Sequence, residues 1–544
     1  MSYEEINQIR RSLKRTWKHF FRPFKGKLLP VQIKAIPPIL DGNNVIIQSP
    51  TASGKTEAVI APILERLLNS HFKPPAILYI CPTRALVYDL YERLVYQIQD
   101  LELQIAIRTG EIRQFKPNNP QEILLTTPES LDSMLCRNNE ILQNIKYIIR
   151  DELHLLHGTY RGDQLRMDLI RLQQSSNSKP QFAALSATFR NPGGIASQYF
   201  NPFKIIKVEG QRELEYELIN TNRMAETYSN LLSYFKKMGI KKILFFCNSR
   251  AGTEQTTQLM KNLSIWPSKS IFVHHGSLGK HERLTAENAL KKRRYAICVS
   301  TMTLEVGIDI GDIDMIVLVG PPPSVSSLLQ RIGRGNRREN LTRAIGLFRT
   351  DDDEKEFLNL FNLAKQGELE QPDRGPCLSV AVQQIFSILY QNRHTGVYLE
   401  QLEEVLQHLP IDNIHLNLLM NHLREKEYVE IHQTKYFPSR KTIDLGERGF
   451  IHSNIPGTSA YNVVNETTGK SVGEIGTFDQ INREFVLSGQ RWRVVSIHGN
   501  KVKVSASKSY DGMPPIFPPA QMHGRYYGIL PQLLKAHCCE QILI

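Results

Sequence analysis

The sequence is poor in cysteine, and its seven cysteines are scattered. Cys81, Cys136, Cys247, Cys298, Cys377, Cys538 and Cys539 include no Cys-x-x-Cys pair. An odd, dispersed set argues against a disulfide framework and for a reducing compartment. It also lacks the four-cysteine cluster of a zinc or iron–sulfur site, so neither is expected. Most of these cysteines lie in apolar, strand-like runs, where a thiol behaves as a small buried apolar group. No apolar run reaches the roughly 18 residues of a membrane span, so no membrane association is expected. Met1 to Arg15 alternates charged with apolar residues and has no signal-peptide core, which leaves the cytoplasm as the expected location. There is no solenoid-length repeat and no low-complexity tract. Acidic residues are outnumbered, 54 against 67 basic, for a net charge of +13. Such an excess suits polyanions, because bound Lys and Arg release counterions from phosphate. Charge alone fits an unspecialised basic protein equally well.

The composition is that of an ordinary globular protein, with 41% hydrophobic and 22% charged residues in 544. At about 150 residues per domain, three or four domains are expected. Residues 1–28 are polar, basic and aromatic and read as an N-terminal extension. Across 29–210, short apolar runs alternate with helical stretches: Val45–Ile47, Ala76–Ile80, Ile123–Leu125, Tyr147–Ile149 and Phe182–Leu185. That alternation predicts a parallel sheet covered on both faces, with ligands at the carboxyl ends of its strands. A second series follows in 211–370: Ile243–Phe246, Ile271–Val273, Ala296–Val299 and Met315–Val319. Residues 376–440 show three helical patterns, then Tyr428–Ile431 and Lys435–Pro438, which suits a winged helix. Residues 441–544 read as β-rich, with Trp492–Ile497 and Lys501–Val504 joined by a turn at His498-Gly499-Asn500. The expected fold class is therefore α/β: two parallel-sheet lobes, a winged helix and a small β-rich domain.

Strand, loop and helix follow one another in the run from Asn44 to Val59. Backbone N–H groups of such a loop, here at Thr51, Ser53 and Gly54, cradle phosphate oxygens, and the helix N-terminus adds its positive dipole end. Lys55 would reach the β- and γ-phosphates, and the Thr56 hydroxyl would coordinate Mg²⁺. Ser49 stands where the first glycine of such loops is usual, and Ala52 where glycine is commoner. The complementary half lies at the end of another strand, Asp151-Glu152-Leu153-His154. An acidic pair there is what metal-assisted phosphoryl transfer needs. Asp151 would hold Mg²⁺ through water, Glu152 would deprotonate the attacking water, and His154 would couple the site to the next lobe. A third part is Gln330-Arg331-Ile332-Gly333-Arg334-Gly335-Asn336-Arg337. If helical, it places Gln330, Arg334 and Arg337 on one face. Arg334 and Arg337 would then be arginine fingers for the transition-state charge. A solvated basic helix is the plainer reading of such a charge run.

In order, these residues resemble superfamily 2 helicases of the DExH type. Gln32 resembles the adenine-reading glutamine of that family, and Gly307, Asp309 and Gln330 resemble further contacts on the ATP side. Thr83 and Arg84, Thr109 and Gly110, and Thr127, Pro128 and Glu129 look like first-lobe nucleic-acid contacts. Ser186 and Thr188 look like the coupling motif. Asn248 and Arg250, His275 and Gly276, and Thr301 look like second-lobe contacts. Phe246 to Arg250, His274 to Leu278, Leu304 to Gly311 and Gln330 to Arg338 are similar to the Lhr family, large helicase-related proteins. Arg161-Gly162 adds to that, and Phe485, Leu487, Gly489 and Trp492 resemble its β-rich domain.

The resemblance implies ATP and Mg²⁺ as cofactors and single-stranded or tailed nucleic acid as partner, with a monomer as the default state. It implies 3′→5′ movement, with DNA favoured over RNA, unwinding of duplexes or DNA–RNA hybrids, and a place in DNA repair. Trp492 is a candidate base-stacking residue, although a core tryptophan on an alternating strand is its plainer reading. An RNA helicase, or a nucleic-acid-stimulated clamp that does not unwind, would need the same residues.

Overall fold

A computed structural model describes the chain apart from residues 1–2, 51–52, 187–190, 209–212, 306–309, 336–340, 367–376, 457–459, 479–483, 508–511, 518–522 and 536–544. The chain divides into two compact units, one of residues 1–209, 371–457 and 521–544, the other of 210–370 and 458–520.

The first unit is built on a seven-stranded sheet. Its strands are β1 (Val45–Gln48), β2 (Ile77–Ile80), β3 (Ile105–Arg108), β4 (Ile123–Thr126), β5 (Tyr147–Arg150), β6 (Gln181–Ser186) and β7 (Lys204–Lys207). They run parallel in the order β3-β4-β2-β5-β6-β1-β7. β1, β2, β4 and β5 are buried at every position, as expected where helices cover both faces. Ile46, Leu78, Leu124 and Ile148 meet Leu165, Leu169 and Leu172 of the helix Tyr160–Ser175 in one core. β3 and β7 escaped the sequence reading. β7 is an edge strand with both lysines exposed, so it carries no apolar run.

The second unit repeats the plan with β8 (Glu213–Asn220), β9 (Lys242–Cys247), β10 (Ile271–His274), β11 (Ala296–Ser300), β12 (Met315–Val319) and β13 (Leu341–Phe348). The order is β10-β11-β9-β12-β13-β8, again parallel. β8 and β13 were also missed, since β8 alternates charged with apolar residues along the sheet edge.

The winged-helix region belongs to the first unit. Its helices are Ser379–Gln391, Leu399–Leu406 and Asn413–Glu425, followed by the hairpin β14 (Val429–His432) and β15 (Lys435–Pro438). Helix Ser379–Gln391 is buried from Ser379 through Tyr390 because it packs on helices Pro128–Leu142 and Tyr160–Ser175. A polar network fixes the seam. Arg171 Nη1 donates to Asp132 Oδ1 at 3.2 Å, Gln384 Oε1 at 2.9 Å and Ser387 Oγ at 2.8 Å, and Nη2 donates to Gln391 at 2.7 Å. Asp132, Cys136 and His452 bring three ligand-type atoms within 4.8 Å of one another here. The Arg171 guanidinium, ion-paired with Asp132, already supplies the cation. Burial pushes the Cys136 thiol up to about 12, so it is a protonated donor rather than a thiolate.

The β-rich region belongs to the second unit. β16 (Tyr461–Asn465), β17 (Ser471–Ile475), β18 (Glu484–Leu487), β19 (Gln490–His498) and β20 (Lys501–Ala506) form a sheet in the order β17-β16-β20-β19-β18. Its core, with Val463, Phe485 and Val502, incorporates Val273 and Leu278 from β10 and the loop after it. The chain then returns to the first unit, where Tyr526 packs edge-on against Phe386. Among the described residues, no helix is long and apolar enough to cross a membrane.

Candidate nucleotide site and nucleic-acid contacts

β1 ends in a loop that feeds helix Lys55–Leu68. Gly54 caps that helix at φ +82°, and a Cβ there would sit 2.5 Å from Gln32 Nε2. Both the left-handed backbone and the close approach call for glycine. Gln32 is buried and donates to the Gly54 carbonyl at 3.4 Å, while its Oε1 accepts from Leu29 N at 2.8 Å. Gln32 thus sits on the loop. Ser49, in the place of a glycine, puts its hydroxyl 2.5 Å from that of Ser53. Lys55 is 8% exposed and curls back to donate to the carbonyls of Ser49 at 2.7 Å and Pro50 at 3.0 Å. Burial lowers its ammonium below the ordinary lysine value, against the pull of Glu152 and Asp151.

Across from it, β5 delivers Asp151 and Glu152. Asp151 Oδ2 accepts from Tyr79 Oη at 3.0 Å, and Oδ1 accepts from Glu152 N at 2.9 Å. Burial and the Glu152 charge push the Asp151 carboxyl well above the usual range, with Tyr79 and Lys55 opposing. Tyr79 was not anticipated, because a tyrosine within an apolar strand reads as core. Glu152 adopts φ 43° and ψ 50°, a left-handed backbone that costs a non-glycine residue about 1–3 kcal/mol. Its Oε2 is buried with no hydrogen-bond partner; His154 Nδ1 lies 3.5 Å away, on a ring whose pKa burial lowers. His154 Nδ1 also lies 3.3 Å from Ser186 Oγ, so these two expected coupling residues are in contact. A buried lysine, an unsatisfied carboxylate oxygen and a hydroxyl at Thr56 form a donor and acceptor set that fits a metal-bound polyphosphate. Thr51, Thr188, Gly307, Asp309 and Arg337 lie outside the described residues.

In the second unit, helix Val325–Ile332 stops before Arg334, capped at Gly333. Gln330 and Arg334 therefore do not share a helical face; Gly335 instead bridges to Ile313. Arg334 is 2% exposed, and its Nε and Nη2 donate to the Glu305 carbonyl at 3.1 and 2.6 Å. As placed it is no exposed finger, because its guanidinium is spent on that carbonyl. Gln330 is buried against Ser326. Arg331, which had no assigned role, is the hub: Nε donates to Glu305 at 2.6 Å and Nη1 to Asn248 Oδ1 at 2.9 Å. Asn248 also donates to the Pro321 carbonyl at 2.7 Å.

The expected strand contacts divide by exposure. Arg84, Gly110, Asn248 and Gly276 are exposed, and Arg250 is half-buried. Arg84 is ion-paired with Glu111. Thr83 caps helix Arg84–Gln99 through Leu86 N at 3.3 Å. Thr109, Thr127, Pro128 and Thr301 are buried, and the Thr109 hydroxyl closes a turn onto Glu111 N and Ile112 N. Glu129 is corrected: Arg161 Nε donates to it at 2.6 Å while Arg161 Nη2 donates to the Pro82 carbonyl, so it braces two loops. A carboxylate would in any case repel phosphate. His275 is corrected too, since its ring is fully buried on Glu254 at 3.0 Å. Trp492 is corrected as a stacking residue: it is 7% exposed, lies in the β-sheet core and donates to the Leu487 carbonyl at 2.8 Å.

Residues 29–193 match the DEAD/DEAH box helicase family, and 225–339 match the helicase conserved C-terminal domain. The chain thus carries both helicase domains and is similar to helicases of the Lhr family. It is 30% identical to the ATP-dependent helicase Lhr-Core of Methanocaldococcus jannaschii, over 92% of this chain and 64% of that protein. The fold is also that of the Mycobacterium smegmatis helicase Lhr solved with single-stranded DNA and AMP-PNP: TM-score 0.69, 24% identity, 82% of this chain and 62% of that one. A DNA-bound structure of the DUF1998 helicase MrfA gives a TM-score of 0.73 at 21% identity, over 91% of this chain and 73% of that one. The chain thus spans just under two thirds of the length of the two Lhr proteins, 64% and 62%.

Proposed function

We propose that this Lhr-like chain is an ATP-driven translocase that moves 3′→5′ on single-stranded DNA, displaces duplex or DNA–RNA hybrid strands, and serves genome maintenance in the cytoplasm. The observation that carries the ATP half is buried Lys55 on the loop carbonyls, within electrostatic reach of Asp151 and of Glu152, whose Oε2 has no hydrogen-bond partner. Lys55 would exchange its two loop carbonyls for the β- and γ-phosphates. Thr56 and Asp151 would hold Mg²⁺, which neutralises phosphate charge when bound. Glu152 Oε2 would accept the proton of the attacking water. His154 against Ser186 would relay the state of the nucleotide. Arg334 would have to leave the Glu305 carbonyl to serve the same nucleotide, and Arg337 would complete the charge stabilisation.

The DNA half rests on two similar structures that hold DNA, and on exposed Arg84, Gly110, Asn248 and Gly276 as sugar–phosphate contacts without sequence preference. The test is unwinding of matched DNA, RNA and hybrid duplexes carrying 3′ or 5′ tails. ATP-dependent displacement of 3′-tailed DNA is expected. RNA-only displacement, or stimulated ATPase without translocation, would replace it with an RNA helicase or a clamp. Lys55→Ala and Glu152→Gln should each abolish turnover; ATPase retained by both would overturn the site assignment.

A further inference from the structure

His275 and Gly276 belong to the loop after β10. Gly276 is exposed, but His275 is fully buried and donates from Nε2 to Glu254 Oε1 at 3.0 Å. Glu254, on helix Arg250–Leu263, is itself fully buried. Its two oxygens take two more donors from the β-rich sheet, Ser488 N and Gly489 N, each at 2.7 Å. Ser488 and Gly489 form the tight turn between β18 and β19, with φ +61° and +64°. Lys261, one face along the same helix, donates to the Gly489 carbonyl at 2.6 Å. Ser488 Oγ donates to Glu282 at 3.0 Å. One sheet turn thus has both N–H groups and a carbonyl held by side chains of the α/β part.

β17 grips the same loop from the other side. Gly279 N donates to the Val472 carbonyl at 2.7 Å, Glu474 N donates to the Ser277 carbonyl at 2.7 Å, and Leu278 bridges to Gly473. A Cβ on Gly279 or Gly473 would overlap the opposing backbone. Backbone this close on both flanks leaves the loop few alternative conformations.

We infer that Glu254 is a positioning residue for nucleic-acid grip. It couples the β18–β19 turn to His275 and so fixes the exposed Gly276 backbone where a strand is held. The β-rich sheet therefore acts on the strand through this loop rather than through Trp492. This rests on the proposed strand contact at Gly276. Each of the three groups on the Glu254 carboxylate is a donor, so an amide in its place must set an N–H against an N–H.

The test uses the full chain and a single-stranded DNA oligomer. ATPase is measured without DNA, at saturating DNA and across a DNA titration. Glu254→Gln should raise the half-saturating DNA concentration about tenfold, as for loss of a hydrogen bond to a charged group. DNA-free turnover and turnover at saturation should stay at wild-type levels. Lys261→Met keeps the aliphatic stem and loses one bond, so it should raise half-saturation about threefold. It also serves as the test if Glu254→Gln fails to fold. Unchanged half-saturation in a folded Glu254→Gln, or in Lys261→Met, overturns the inference. A wild type that no nucleic acid stimulates would instead overturn the strand-contact reading beneath it.

Discussion

Replacing Arg171 with methionine removes the cation paired with Asp132 in the seam between the winged-helix region and the helices that cover the first sheet. The side chain is 7% exposed and serves Asp132, Gln384, Ser387 and Gln391, with Asp168 a further 3.7 Å ion pair. Methionine matches the stem but leaves two fully buried carboxylates with less compensation. Breaking a buried pair in this way costs about 3–5 kcal/mol. His452, 3.0 Å from Asp132, limits the damage to that carboxylate, which favours the lower end. With a urea slope of about 3 kcal/mol per molar, the midpoint of the first unit should fall by about 1 M or more. Asp168→Asn in the same chain should restore part of the loss, because Gln384 Nε2 can still donate to the amide oxygen, as it does now at 2.9 Å. Urea unfolding followed by circular dichroism reads both changes. An Arg171→Met midpoint equal to wild type would refute the claim that this network holds the seam.

Tyr79→Phe removes the hydroxyl bonded to Asp151. A hydrogen bond to a charged group is worth about 1.5–3 kcal/mol, so the Mg²⁺ needed for half-maximal ATPase should rise roughly tenfold or more; an unchanged requirement would separate Tyr79 from the metal site. Trp492→Phe loses the bond to Leu487 and core volume, at about 1–3 kcal/mol of stability. DNA affinity measured by anisotropy should not change, and a tenfold loss would reinstate Trp492 as a base contact. Burial, with Arg150 and Arg166 nearby, lowers His157 from 6.5 to about 4. The unfolded chain then takes up the proton first, so stability is present above pH 6.5 and is lost as pH falls towards 4. Partial exposure discounts the effect to about 1–2 kcal/mol. His157→Gln should flatten this part of the pH profile of melting temperature, and an identical slope would exclude His157 as its source.

The nucleotide site was legible because its parts are local. Gly54, Lys55 and Thr56 follow one strand, and Asp151 to His154 follow another, so strand order alone brings them to one sheet edge. Long apolar strands were legible for the same reason, whereas edge strands such as β7 and β8 were not, because water replaces apolar neighbours there. Helix continuity through Arg334 was the wrong extrapolation. Spacing suggested a face, but Gly333 ended the helix and Glu305 captured the guanidinium.

What only the tertiary structure decided is where polar side chains are spent. Thr109, Glu129 and His275 sit in motifs that suit a nucleic acid, yet packing turns them onto Glu111, Arg161 and Glu254. A motif fixes which groups are available near a strand end. Burial fixes which of them an internal partner has already taken, and that depends on residues hundreds of positions away, such as Ser488 on Glu254. The sequence by itself determined the phosphate-type loop, the acidic pair at the end of β5 and the parallel-sheet lobes. Long-range packing decided that the winged helix belongs to the first unit and the β-rich sheet to the second, because only complementary apolar faces and satisfied buried polar groups select a neighbour.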